Sequence, residues 1–135
     1  IVVVMRNQQY INFGHIVYTV HITSIVVFTK NENLKIIEVG CAPGKYLINL
    51  HKKFGYKPYG IEYSEKGVEI TKENFIKAGL NPENIIQRDF FDPNFESEYK
   101  EKFDLVFSRG FIEHYDDVKS VVEKHLNLVK NGSFV

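Results

Sequence analysis

The chain lacks the features that would mark it as secreted, membrane-spanning or drawn to polyanions. Its one cysteine, Cys41, has no partner for an internal disulfide, which places the expected setting in a reducing compartment, the cytoplasm. The 17 Lys and Arg residues are balanced by 17 Asp and Glu, so no net field gathers nucleic acid, and composition gives such a substrate no support. No apolar run reaches the ~18 residues of a membrane span; the closest region is broken by Asn12, His15, Thr19, His21, Thr23 and Ser24. No basic segment with a small-residue cleavage site is present. Repeats, low-complexity tracts and linkers are also missing.

Charge itself is missing from Asn7 to Thr29, and the run Ile16 to Phe28 within it is rich in Val, Ile and Thr, which favour strands over helices. Residues 1–33 form an N-terminal segment for which three arrangements stay open: an edge hairpin, a cap over a pocket, or a poorly ordered stretch. Tyr10 is a candidate to line a site there, and His15 and His21 read as turn or surface residues. Polarity returns at Lys30 to Asn33, and residues 34–135 then alternate strand and helix patterns. That alternation predicts an α/β fold, a doubly wound, mostly parallel sheet with helices on both faces. At 135 residues the chain is one domain, short for such a sheet.

Leu34-Lys35-Ile36-Ile37 runs into Glu38-Val39-Gly40-Cys41-Ala42-Pro43-Gly44, a strand entering a glycine loop. Glycine lets backbone amides approach a ligand where a Cβ would clash, and a following helix offers unpaired N–H groups to anionic parts of it. A phosphate-binding P-loop is excluded. It needs four residues before its Gly-Lys pair and Ser or Thr after it, and here three residues precede Gly44 and Tyr46 follows Lys45. A dinucleotide fingerprint fails at Ala42 and Lys45, where it requires glycine. Cys41 admits two readings: a thiol acidified by the helix N-terminus, or a small residue filling a tight loop.

A second acid, Glu62, ends the short strand Tyr59-Gly60-Ile61-Glu62, 22 residues beyond Gly40. That is close to the ~20-residue offset at which a strand-end carboxylate meets a ribose diol, though a glutamate there also serves as a helix cap. A third acid, Asp89, follows Ile85-Ile86-Gln87-Arg88, and Phe103-Asp104-Leu105-Val106-Phe107-Ser108 forms a further strand before Arg109-Gly110-Phe111-Ile112-Glu113-His114.

This order of segments, over residues 34–135, resembles the class I S-adenosylmethionine-dependent methyltransferases, with Glu38 as the acid of the first motif and Ala42 in place of its usual middle glycine. The resemblance implies S-adenosylmethionine as cofactor. It places Glu38, Gly40, Cys41, Ala42 and Gly44 along the methionyl stretch, Glu62 on the ribose, and Asp89 on the adenine amino group, with the Phe90 N–H on a ring nitrogen. Ser108 and Arg109 lie beside the methionyl end, where Arg109 either holds a carboxylate of cofactor or substrate or stays exposed. Ile61, Tyr63 and Phe90 pack on adenine or belong to core and rim, and Asp89 alternatively caps a turn. His114 is the one candidate base, against a purely local structural role for the Glu-His pair. A family member has a seven-stranded sheet. Leu128 to Val135 corresponds to a helix end, a turn at Asn131-Gly132 and the opening of the fifth strand, so the resemblance implies a truncated domain.

The expected function is methyl transfer to a small-molecule acceptor. The Asn/Asp-Pro-Pro-Tyr signature of many amine methylases is replaced by Ser108-Arg109-Gly110-Phe111, which favours oxygen or carbon acceptors. The alternatives are an inactive S-adenosylmethionine-binding module, or a fragment completed by a partner, and a nicotinamide-dependent oxidoreductase. No metal site is expected.

Overall fold

The computed structural model describes residues 2–4 and 29–131. The expectations for Tyr10, His15, His21 and residues 132–135 fall outside them. Five strands form one sheet in the order β1-β5-β2-β3-β4: β1 (Val2–Val4), β2 (Lys35–Val39), β3 (Lys57–Glu62), β4 (Ile85–Gln87) and β5 (Leu105–Ser108). β4, β3, β2 and β5 run parallel, and β1 pairs antiparallel with β5 at the edge.

The helices α1 (Lys45–Phe54), α2 (Glu65–Lys77), α3 (Pro93–Tyr99) and α4 (Val118–Leu128) cover both faces. Period-two alternation divides the strands between two cores. Ile36, Leu105 and Phe107 join Leu47, Val68 and Phe75 under α1 and α2. Ile37, Val39 and Val106 join Phe95, Phe103, Val121 and Leu128 under α3 and α4. Because both faces are buried, Leu105 to Phe107 of β5 read as an unbroken apolar run, as parallel strands do. Phe75 and Phe95 are fully buried, and each such side chain contributes roughly 1.5–3 kcal/mol.

Local chemistry sets the helix ends. Ser64 caps α2 by accepting the Gly67 N–H, Asp92 caps α3 and Asp117 caps α4. Gly55 stops α1 with φ at 78°, the left-handed conformation glycine adopts without strain. One boundary differs from expectation. α4 ends at Leu128 rather than running to Asn131-Gly132, because Val129 is drawn into the sheet and bridges Phe103 in parallel register. Phe103 N donates to Leu128 O at 3.1 Å, and Lys130 N donates to Phe103 O at 2.8 Å. Buried Asp104 fastens the same end of β5, accepting the Lys35 N–H at 2.8 Å and the Lys130 ammonium at 3.0 Å.

Candidate functional site

Parallel strands place their carboxyl ends on one side of the sheet, and Glu38, the glycine loop, Glu62, Asp89 and Ser108 to Gly110 gather there. The loop is tied to β3 from within. Gly40 N and Cys41 N donate to Ile61 O at 2.9 and 3.3 Å, Gly44 N to Cys41 O at 2.6 Å, and Ala42 N to Glu62 Oε2 at 3.3 Å. Most of the loop amides expected to face a ligand therefore already have partners. What stays open is the first turn of α1, since Gly44 supplies no side-chain cap. The Ala42-Pro43 peptide is cis.

The glycines serve different neighbours. Gly40 has φ at 70°, and a Cβ there would meet the Phe111 ring at 3.4 Å. Gly44 faces α2 rather than the crevice: its Cβ would fall 2.8 Å from Thr71 Cγ2. Gly67, which the sequence reading passed over, lets the first turn of α2 close on Glu62 and Ala42, whose side-chain carbons would lie 3.0 and 3.1 Å from its Cβ. An isolated glycine inside a helical pattern was the available signal.

Glu62 holds two backbone donors, Ala42 N on Oε2 and Ser64 N at 3.0 Å on Oε1. It thus bridges the glycine loop and the start of α2 and sits at the tip of β3, half-buried. Tyr63 beside it is 77% exposed, a rim residue. Asp89 is exposed and caps its own turn, its Oδ1 accepting the Phe91 N–H at 2.9 Å. Phe90 is a core residue. Its ring is buried among Phe95, Phe111 and His125, and Ile61 is likewise core. Ser108 is buried in β5, paired with Val39 and Val2. His114 ends a 3-10 turn, Ile112–His114, and is exposed.

Cys41 takes the second of its two readings, the small residue filling a tight loop. Its thiol is 2% exposed, packed against Gly60, and its pKa is pushed up to about 12, first by burial and then by the charges of Glu38 and Glu62. Desolvation outweighs any help from the helix N-terminus, so the thiol is a packing group. His125 belongs to the buried face of α4. It is wholly buried, with Nδ1 donating to Val121 O at 2.7 Å, but Nε2 has no partner. Burial holds its pKa down, so Nε2 is a bare lone pair among aromatic rings.

Glu38 and Arg109 form the most polar part of the site. Glu38 is 3% exposed in β2, its Oε2 is buried without a partner, and burial pushes its pKa up to about 8 against a smaller downward pull from Arg109. The Arg109 guanidinium carbon lies 3.3 Å from the centre of the Tyr46 ring, in the first turn of α1, and its Nη1 is buried without a hydrogen-bond partner. Tyr46 had not been singled out in the sequence.

A family model described as a methyltransferase domain matches residues 30–135. This chain belongs to the class I S-adenosylmethionine-dependent methyltransferase family. The ubiquinone biosynthesis O-methyltransferase of Leptothrix cholodnii is 26% identical to it over 106 residues, 78% of this chain and 44% of that protein. EEF1A lysine methyltransferase 2 of Danio rerio is 30% identical over 80 residues, 59% of this chain and 33% of that protein. Among solved structures, one described as an S-adenosyl-L-methionine-dependent methyltransferase from Methanococcus maripaludis shares the fold. Its TM-score is 0.66 at 24% identity, covering 83% of this chain and 49% of that one. The chain spans less than half the length of these curated relatives. Among the described residues of this family member, no helix is long and apolar enough to cross a membrane, and no His, Cys, Asp and Glu cluster could hold a metal ion.

Proposed function

We propose that this domain binds S-adenosylmethionine across the carboxyl ends of β2 to β5 and transfers its methyl group to a small-molecule acceptor, at oxygen or carbon. The observation that carries the reading is Glu62, fixed beside the glycine loop at one strand tip with Asp89 on the next. A carboxylate with two oxygens suits a vicinal diol, so Glu62 takes the ribose. Asp89 and the Phe90 N–H take the adenine edge, and Tyr63 lies on its rim. Gly40, Cys41, Ala42 and Gly44 shape the bed of the methionyl stretch, with Ser108 and Arg109 beside it. The unpartnered Oε2 of Glu38 and Nη1 of Arg109 fit a ligand end that carries both charges.

When bound, the cofactor supplies an electrophilic sulfonium methyl. The chain's part is to position and to exclude water, for which orientation alone offers ~7–11 kcal/mol. Where the acceptor must lose a proton, His114 is the group we assign as general base. The similarity to ubiquinone biosynthesis O-methyltransferases supports an oxygen acceptor. The Danio rerio relative, named as a lysine methyltransferase, supports the competing amine reading. We place the domain at residues 34–135, in the cytoplasm, without a nucleic-acid or membrane partner. Because the chain covers less than half of its curated relatives, a cofactor-binding module that needs further chain or a partner for activity is the second reading.

Transfer of labelled methyl from S-adenosylmethionine to a panel of phenols, carbon nucleophiles and primary amines tests this. Transfer to a phenol or carbon acid, with His114→Ala slowing only acceptors that must lose a proton, is expected. Transfer confined to amines overturns the acceptor class. Cofactor binding without any transfer favours the second reading.

A further inference from the structure

We propose that a basic cleft at the amino-terminal side of the sheet, between the end of α1 and the starts of β2 and β3, binds a small, multiply phosphorylated anion. It lies at the far end of α1 from the cofactor crevice. The first turn of that ten-residue helix borders the glycine loop and its last turn borders the cleft, about 15 Å away.

The cleft measures about 910 Å³, and Lys30, Lys52, Lys53 and Lys57 line it against a single acid, Glu32. Basic residues in a helix's last turn offset the negative end of its dipole, which accounts for Lys52 and Lys53. It does not account for Lys30, which precedes β2, or Lys57, which opens β3. Backbone contacts bring these separate segments together. Asn31 N donates to Phe54 O at 2.8 Å, which carries Lys30 to the end of α1, and Lys57 N donates to Leu34 O at 2.7 Å. Gly55 lets the walls close, since a Cβ there would meet Glu32 Cγ at 2.9 Å. All four lysines are exposed, and among the described residues none of them forms an ion pair with Glu32 or any other acid. Like charges gathered without a counter-charge repel one another, and an anion in the cleft removes that cost.

A lysine ammonium is a compact point charge that suits phosphate oxygens. Four of them, on three separate segments of the chain, match a ligand that presents several phosphates rather than one. S-adenosylmethionine carries no phosphate, so the cleft is not a second site for it. The positive charge is also local: over the whole chain 17 Lys and Arg meet 17 Asp and Glu, whereas a nucleic-acid surface calls for a basic stripe across a domain. Walls from α1, β3 and the segment before β2 enclose the ligand, which fits a discrete molecule rather than a lipid surface.

Calorimetric titration of tripolyphosphate into the intact chain tests this, with inorganic phosphate and a single-stranded oligouridylate for comparison. Wild type is expected to bind tripolyphosphate saturably and more tightly than phosphate, with an affinity that falls as salt is raised. Lys52→Glu with Lys53→Glu, and from the facing wall Lys30→Glu with Lys57→Glu, should each weaken it by at least about 10-fold. Lys66→Glu with Lys119→Glu makes the same change in net charge on α2 and α4 and should leave it unchanged. Urea unfolding identifies the folded variants, and either cleft pair decides the matter if the other fails to fold. The proposal is overturned if wild type shows no saturable binding, or if the control pair loses as much affinity as the cleft pairs, which marks unspecific attraction. It is also overturned if oligouridylate binds more tightly than tripolyphosphate and the cleft variants abolish that binding, which assigns the surface to RNA.

Discussion

Gly60 and Cys41 are locked together: a Cβ on Gly60 would lie 2.4 Å from Cys41 Sγ and 2.7 Å from its Cβ. The glycine in β3 is what allows the loop after β2 to fold back onto the strand beside it. The same contact brings Ala42 to within hydrogen-bonding reach of Glu62.

Gly60→Ala therefore overpacks a site with no room to relax. An added methyl in a close-packed core costs about 1–3 kcal/mol, so urea unfolding of the variant has a lower midpoint, and S-adenosylhomocysteine binding weakens because the loop shifts. A variant of unchanged stability would mean that the loop does not rest on β3.

Cys41 is expected to be inert in the folded protein. With a pKa raised to about 12, roughly one thiol in ten thousand is ionised near pH 8, and the thiolate is the reactive form. A disulfide reagent such as DTNB should label it only after denaturation. Labelling of native protein at the rate of a free thiol would contradict the packing.

Glu38 makes stability fall as pH rises. Its carboxyl titrates near 8 in the folded chain, against an ordinary value of 4.5. Between those values the unfolded chain has released the proton and the folded one has kept it. The folded state thus binds more protons, and stability is lost by up to about 1.4 kcal/mol per pH unit across the window. Below 4.5 both states are protonated and above 8 both are ionised, so the effect levels off at each end. Arg109 opposes the shift, and the Glu38 carboxyl also acts on the Cys41 thiol. Glu38→Gln removes the titration, so its stability relative to wild type should rise from the low to the high end of the window. Urea unfolding at both ends measures this, and a difference that does not change with pH would exclude the assignment.

Much of the scaffold was legible in the sequence because local and tertiary signals agree. Val68, Thr71 and Phe75 mark one helix face and are all buried under α2. Ser64, Asp92 and Asp117 stand where caps are needed. Glu62 was legible for a similar reason, since the end of a buried parallel strand leaves a side chain few places to go. The Arg109 and Tyr46 stack was not, because it exists only once β5 pairs beside β2 and swings the following loop over α1. Which neighbours Cys41 and Gly44 pack against was not legible either, because each lies in the glycine loop and meets Gly60 of β3 or Thr71 of α2 only once those elements are in place. The burial of Phe90 could not be foreseen from Asp89 alone, since it depends on the aromatic cluster with Phe111 and His125.

The central claim is that strand-tip carboxylates hold an adenosyl cofactor, and calorimetric titration of S-adenosylhomocysteine into wild type and Glu62→Ala tests it most directly. The account predicts saturable one-to-one binding by wild type and an affinity about 10- to 100-fold lower in the variant, the loss expected for hydrogen bonds to a charged group. Folded wild-type protein that binds no adenosyl ligand, or a Glu62→Ala variant that binds it equally well, would contradict the account.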